Sequence, residues 1–196
     1  EYHLGVAYNI PAPLTIHQAG EEILRFNAHF DSESLQIPLY WNFRLARWKN
    51  EKSWEFEAIH HKLYMIKNPD EIENFSISHG YNIMSVLRSQ KVTLFKQQGF
   101  IFRYGLGTVL AHPENTVRGK RLNEQNGIFQ SGYYISGPVL NVAIAKQFHL
   151  SERFYLNTEA KFYPSYSKVP VADGYATLWN VPVAFIVGLG IDFKKL

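Results

Sequence analysis

Large apolar residues and small or polar residues alternate along most of this chain, and the last such stretch is the clearest. In VPVAFIVGLGIDF, residues 181–193, every odd position is large and apolar, whereas the even positions are mostly small or polar. A period of two residues indicates a β-strand with two different faces, and helical periodicity hardly occurs in the chain. The bulky face of such a strand packs inward in a soluble protein and outward, against lipid, in a membrane barrel.

The same alternation recurs often enough to predict eight strands. In the third strand the alternation becomes unclear at His60-His61, which predicts a bulge. In the fourth strand the apolar face is assigned to Phe75, Ile77, Tyr81 and Ile83. The predicted strands cover residues 2–10, 35–48, 53–58, 75–88, 99–112, 137–148, 153–166 and 181–193.

The connections between these strands alternate in length. Short turns at one end and long loops at the other are typical of an outer-membrane barrel, with both chain ends on the short-turn side. ILRFNAHF, residues 23–30, is expected to extend strands beyond the membrane. The short connections are 48–54, 88–98 and 148–154. The other side has the long connections 11–34, 113–135 and 167–178, with a shorter one at 67–73.

The face opposite the apolar one carries a few charges among many glycines and alanines. A solvated exterior would carry more charged residues, whereas the packed interior of a narrow barrel accommodates a few large charged side chains among small ones. Buried charges must pair, so this set is predicted to form an interior charge network that fills the barrel and is not an ion path. Its members are Arg44, Glu55, Glu57, Arg103, Glu159 and Lys161.

Aromatic residues make up 15% of the chain, and many of them fall at the short-turn end of the predicted strands. Amphipathic rings at this level predict a girdle in the headgroup region of a membrane. The alternative is a soluble lipocalin-like barrel or a β-sandwich with the apolar face inside. The girdle residues are Tyr2, Trp48, Trp54, Phe100, Phe148, Phe154 and Phe193.

Composition excludes several classes of function. There is no cysteine, so the chain has no disulfide framework, thiolate zinc site or cysteine nucleophile. The net charge is +3 without a basic block, so no nucleic-acid partner is predicted. No run of 18 apolar residues is present, which excludes a transmembrane helix. The histidines are poorly spaced for a shared metal site, and the positions considered are His60-His61, His3 and His29, so no metal is predicted. No cofactor is predicted either.

With these features the chain resembles the small eight-stranded outer-membrane barrels of Gram-negative bacteria, the OmpA/OmpX/PagL-like group. The resemblance covers nearly the whole chain and rests on its pattern, without a signature motif. It implies an all-β fold, an eight-stranded antiparallel up-and-down transmembrane β-barrel formed as a single domain by residues 1–196. It also implies location in the bacterial outer membrane, with lipid and lipopolysaccharide as partners.

The loop AHPENTVRGKR, residues 111–121, is the richest polar cluster. If the protein is an enzyme, His112 and Glu114 could share a proton-transfer role at the outer rim, and Arg118 and Lys120 could hold a lipid phosphate. The alternative is an exposed loop whose Pro and Asn form turns and whose basic residues touch anionic headgroups.

The resemblance makes an enzyme that acts on lipid A one possible function, because two families of small barrels are lipid A enzymes, an acyltransferase and a deacylase. The deacylase type carries a His-x-Ser-Asn motif, whereas the nearest stretch here, SISHGYN, has Tyr81 two residues after His79. The motif is therefore absent, and His79 is interpreted as a strand residue near an interface. HFDSES, residues 29–34, offers histidine, aspartate and serine, but residues so close together on an extended segment rarely converge.

Three classes of function stay open. The first is a non-enzymatic structural or interaction protein that uses its long extracellular loops, with possible protein partners there. The second is an enzyme that modifies lipid A or phospholipid at the outer rim. The third is a barrel that carries a hydrophobic ligand inside.

Overall fold

The computed structural model describes residues 1–123 and 125–193, and in this part of the chain nearly all regular structure is β-strand. A short 3-10 turn lies at Ile128–Gln130. No helix among the described residues is long and apolar enough to cross a membrane. The strands are β1 (Tyr2–Ile10), β2 (Ala12–Gln18), β3 (Leu24–Asp31), β4 (Trp41–Lys49), β5 (Lys52–His60), β6 (Leu63–Ile66), β7 (Ile72–Ile77), β8 (Tyr81–Leu94), β9 (Gln97–Ala111), β10 (Glu114–Val117), β11 (Lys120–Arg121), β12 (Tyr134–His149), β13 (Phe154–Phe162), β14 (Ser165–Val171) and β15 (Gly174–Ile191).

Eight of these strands close into a barrel in the order β1-β4-β5-β8-β9-β12-β13-β15, and β15 pairs back with β1. All neighbours are antiparallel, and the closing pair runs in register from Tyr2 opposite Leu189 to Ile10 opposite Val181. Closure leaves no open edge in the sheet. The predicted eight-stranded antiparallel barrel is confirmed.

The outside of the barrel carries a continuous apolar belt. Every barrel strand contributes large apolar side chains that are more than a third exposed, because alternate residues of each strand point away from the lumen. On β15 the belt extends from Trp179 to Ile191. One outward-facing member from each strand in chain order is Val6, Leu45, Phe56, Val86, Leu106, Leu140, Phe162 and Phe185.

The remaining strands build a second β-structure on the long-loop side of the barrel, which we call the extension. It consists of β2, β3, β6, β7, β10, β11, β14 and the first residues of β15. In the pairing order, β15 is followed by β2, β3, β6, β7 and β10, and β14 pairs with β15. Asn115 Nδ2 on β10 donates to Pro170 O on β14 at 3.0 Å, which links the two sides of the extension.

Polarity reverses between barrel and extension. In the extension the buried inward side chains are apolar, as Leu14, Ile16 and Val169 show, and outward positions carry residues such as Thr15 and Lys168. In the barrel the outward side chains are mostly apolar, and many of the buried ones are charged or amide side chains. On β15 the change occurs at Trp179. The extension therefore has the interior and exterior of a soluble β-protein.

The fourth predicted strand is corrected by the structure. It is two strands, β7 and β8, and the four residues assigned to its lipid face are all buried, with Phe75 1% and Ile77 0% exposed. Phe75 and Ile77 belong to the core of the extension, where apolar residues point inward. In β8 the outward residues are Met84 and Val86, one position out of phase with the prediction.

Boundaries of other elements also differ from the prediction. The second strand begins at Trp41, and Leu35 and Ile37 lie in an exposed loop before it. The unclear phase at His60-His61 is a strand end, because β5 ends at His60 and the chain passes into β6 of the extension. The long connection predicted at 167–178 is a β-hairpin formed by β14 and β15.

Candidate functional site

The interior of the barrel holds a network of buried ion pairs. Arg44 donates Nη2 to Glu159 Oε1 at 2.8 Å and contacts Glu57 with the same nitrogen. Arg103 donates Nε to Glu55 Oε2 and Nη1 to Glu159 Oε2, both at 2.9 Å. These side chains are fully buried. The two guanidinium groups thus join carboxylates from two strands, β5 and β13, across the lumen.

Lys161 and an unexpected residue complete this interior charge network. Lys161 Nζ donates to both oxygens of Glu57, at 2.6 and 2.7 Å, and Asn141 donates to the same carboxylate. Glu1, which sequence analysis did not include, accepts from Arg44 Nη1 at 2.6 Å. The six predicted residues supply three cations and three carboxylates, and Glu1 adds a fourth carboxylate to the network. The six predicted residues all lie in one connected cluster.

An open cavity of about 1000 Å³ lies between this network and the short-turn end. Glu1, Arg44, Gln147 and Tyr155 are among the residues that line it. Above the network, toward the long-loop side, the lumen is occupied by buried side chains that include Tyr40, Tyr81 and Tyr163. Its lining mixes charged residues with apolar ones such as Val92 and Ile101.

At the outer rim the structure brings together His79, His112 and Glu114, which with Ser78 form what we call the rim cluster. The ligand-type atoms of the first three lie within 4.8 Å of one another. His79 Nδ1 contacts Glu114 Oε1 directly, and His112 Nδ1 lies 3.9 Å from the same oxygen. The His112 side chain is 12% exposed and that of His79 is 66% exposed.

Backbone contacts position the rim cluster. The hairpin of β8 and β9 pairs Tyr81 with Ala111, so the residues just beyond this pair, His79 and His112, meet above the barrel wall. His112 N donates to Gly80 O at 3.1 Å, and Tyr133 Oη donates to His79 O at 2.8 Å. Gly80 has a φ of +139°, which residues with a side chain rarely adopt.

Glu114 is held as an ionised acceptor. Partial burial opposes ionisation, but hydrogen bonds from Ser78 and His79 and the nearby imidazoles of His79 and His112 outweigh it and lower the pKa of Glu114. The Ser78 hydroxyl lies 3.5 Å from His79 Nδ1, on the same ring nitrogen that contacts Glu114. A hydrolytic triad needs the nucleophile and the acid on opposite ring nitrogens. The rim cluster does not have that geometry.

Arg118 and Lys120 are not part of the rim cluster. They lie at the outer tip of the extension, where Arg118 Nη2 donates to Glu22 O at 2.9 Å and Lys120 Nζ lies 3.1 Å from Asp173 Oδ2. The structure thus brings His112 and Glu114 together and separates the two cations from them. At the tip both cations lie beside protein acceptors.

The other histidine-containing segments have local structural contacts. In residues 29–34, Ser32 Oγ lies 2.6 Å from Ser34 Oγ and donates to Ala7 O, which ties the loop to β1. His60 Nδ1 pairs with Asn82 Oδ1 at 2.8 Å, and His61 Nε2 pairs with Asn9 Oδ1 at 2.9 Å.

A groove of about 390 Å³ adjoins the rim cluster on the outside of the barrel. Its lining includes Trp41 and Met84, as well as His79 and Tyr133. His60 is stacked on Trp41 with ring centroids 5.7 Å apart. The groove therefore joins apolar side chains to the exposed imidazole of His79.

Comparisons with known proteins find only distant structural similarity. No protein-family model and no curated protein sequence matches the chain. Ail, the attachment invasion locus protein of Yersinia pestis, is similar with a TM-score of 0.35 and 8% identity, over 94% of this chain and 97% of that one. Neisserial surface protein A is similar with a TM-score of 0.34 and 10% identity, over 93% and 95% of the two chains. Neither likeness is close enough to bear on the function or partners of this chain.

Proposed function

We propose that this chain is an integral outer-membrane β-barrel protein that presents a rigid β-extension outside the cell and acts as a non-enzymatic structural or interaction component. The observation that carries the proposal is the reversal of polarity between barrel and extension. An apolar exterior is stable in lipid, and a polar exterior over an apolar core is stable in water.

The height of the apolar belt supports a membrane location. From Trp179 to Ile191 the outward residues of β15 are all apolar. At about 3.3 Å per residue and a tilt of about 45°, this stretch spans roughly 28 Å along the barrel axis. The apolar band of outer-membrane barrels is about 25 Å tall, so the two heights agree.

Aromatic rings and cations flank the short-turn end of the belt. Arg88 lies over the Trp54 ring at 5.1 Å and Lys146 over Phe100 at 4.3 Å. Trp48, opposite the buried Ser53, lies on the lumen side and is not part of the predicted girdle. Such pairs suit the headgroup region, where rings contact the apolar boundary while the cations remain near water and phosphate.

The extracellular side offers surfaces for contact. Leu35, Ile37 and Phe129 lie in loops on this side and are 75%, 92% and 98% exposed. Contiguous exposed apolar patches mark contact sites on proteins. We propose that these loops bind protein partners or the surrounding lipopolysaccharide. Lipid-phosphate contact by Arg118 and Lys120 stays a prediction, because both lie beside acceptors at the tip.

Membrane topology is tested by cysteine labelling, since the chain contains no cysteine. Lys168→Cys places a thiol on the outer face of β14, and Glu152→Cys places one in the short turn between β12 and β13. A membrane-impermeant maleimide is expected to label Lys168→Cys on intact cells and Glu152→Cys only after the outer membrane is permeabilised. Equal labelling of both on intact cells would contradict the topology.

The non-enzymatic role is tested by mass spectrometry of lipid A from cells that express the folded protein. We expect the spectrum to match that of cells that express Glu114→Gln. A mass change that is present with the wild type and lost in His112→Ala would overturn the non-enzymatic proposal and favour lipid A modification.

A further inference from the structure

Beyond the proposed role in the membrane, the rim cluster has the composition of a transition-metal site. We propose that His79, His112 and Glu114 bind one zinc ion at the outer rim of the barrel. Two imidazoles and one carboxylate supply nitrogen and oxygen ligands that suit Zn²⁺, and three protein ligands leave a fourth position for water or another ligand. Imidazole is a poor ligand for Ca²⁺ and Mg²⁺, so the site selects against these cations.

The geometry supports a shared cation. Glu114 Oε1 contacts His79 Nδ1 and lies 3.9 Å from His112 Nδ1. His112 Nδ1 is buried and has no hydrogen-bond partner. A buried polar atom without a partner is costly, and a metal ion between this nitrogen and the carboxylate would satisfy it. A zinc ion fits between the His79 ring and the Glu114 carboxylate if these two groups move slightly apart.

Neighbouring groups hold the ligands in place. Ser78 donates its hydroxyl to Glu114, and Tyr133 Oη holds the His79 carbonyl at 2.8 Å. The His112 amide is bonded to Gly80 O at 3.1 Å, which joins the two histidine segments. Outer contacts of this kind orient metal ligands and raise metal affinity. His79 lies far along the chain from His112 and Glu114, so the complete site forms only in the folded barrel.

The fourth coordination position has access to an outer groove. His79 is 66% exposed and lines this groove together with Tyr133 and Trp41. The ion would therefore be exchangeable with the external medium, and a chelator is expected to remove it without unfolding the barrel.

The test is isothermal titration of ZnCl₂ into tag-free protein that has been refolded in detergent micelles and treated with chelator. We expect one Zn²⁺ per chain and no comparable heat from CaCl₂. His112→Ala and Glu114→Gln are expected to weaken binding about a hundredfold or more, and Ser78→Ala about tenfold, since loss of an outer contact costs 10- to 100-fold. His149→Ala, at the short-turn end, is the matched control and should bind like the wild type.

Unboiled gel mobility of each variant shows separately whether the barrel is folded. Folded wild-type protein without saturable Zn²⁺ binding would overturn the metal site and leave the membrane proposal intact. Equal affinity in the wild type and in the folded Glu114→Gln variant, which keeps the size of the side chain, would overturn it as well. Failure of every variant and of the wild type to fold into a heat-modifiable barrel would contradict the membrane proposal itself.

Discussion

Substitution of Arg103 by leucine tests the interior of the barrel. Arg103 is fully buried, donates to Glu55 and Glu159 at 2.9 Å each, and lies 3.5 Å from Glu1 Oε1. The interior charge network has three cations and four carboxylates, so the variant leaves two cations among four carboxylates. Removing one partner of a buried ion pair costs about 3–5 kcal/mol, because the remaining charge is uncompensated. We therefore expect the free energy of unfolding to fall by about this amount.

The assay is equilibrium urea unfolding of the refolded protein in lipid vesicles, followed by tryptophan fluorescence and by unboiled gel mobility. Arg47→Leu, at an exposed position of β4, is the control and should stay within about 0.5 kcal/mol of the wild type. The double variant Arg103→Leu/Glu55→Leu restores the balance of charges and should be more stable than Arg103→Leu alone. An unchanged unfolding midpoint in Arg103→Leu would refute the assignment of this residue to the interior.

Three further predictions concern the belt, the rim and the lumen. Phe185→Arg, at the middle of the belt, should lower the free energy of unfolding in lipid vesicles by about 2–4 kcal/mol. Thr177→Arg, on the outer face of the extension, should change it little. Equal losses for the two variants would show that both positions lie in the same environment. The pKa of Glu114 is lowered from its ordinary value of 4.5, so the ionised carboxylate stabilises the fold above pH 4.5, and this stabilisation is lost as the pH falls below that value. The Glu114→Gln variant should lack this part of the pH dependence of the free energy of unfolding. Acid-unfolding curves of the wild type and the variant that run parallel would contradict this prediction. The lumen is filled at the network, so the protein in planar bilayers should give no steady single-channel conductance, and regular channel steps would show an open path.

The sequence predicts the barrel well where the two faces of a strand differ in size and polarity. In β15 the inward positions are mostly small or polar and the outward ones are large and apolar, so the period of two residues identifies both faces. In β8 the inward residues include Ile83 and Leu87, and the outward ones include Met84 and Val86, so both faces are apolar. Alternation cannot then distinguish lipid from interior.

The extension was harder to predict because its polarity is reversed. Phe75 and Ile77 obey the same alternation as a lipid-facing strand, yet they pack in an apolar core outside the membrane. An apolar face shows only that a side chain avoids water, and both lipid and a protein core satisfy that condition. Trp179, where β15 passes from the extension into the barrel, can be located only by aligning the neighbouring strands.

The rim cluster was predicted in part. His112 and Glu114 are close in sequence, and their roles were suggested by residue type. His79 meets His112 because the hairpin turns at Phe95 and Lys96, and locating this turn would have predicted the approach. Glu114 meets His79 through the pairing of β10 with β7, which joins distant parts of the chain. The place of Glu1 in the interior charge network likewise depends on closure of the barrel.

We infer that the chain forms a closed barrel whose apolar face meets lipid. The most direct test compares boiled and unboiled samples of the detergent-extracted protein on an SDS gel, beside an extraction without detergent. We expect that detergent is required for extraction and that the unboiled protein migrates differently from the boiled one. Protein that is extracted without detergent and shows no shift in mobility would contradict the claim, because the apolar face would then be buried inside the molecule.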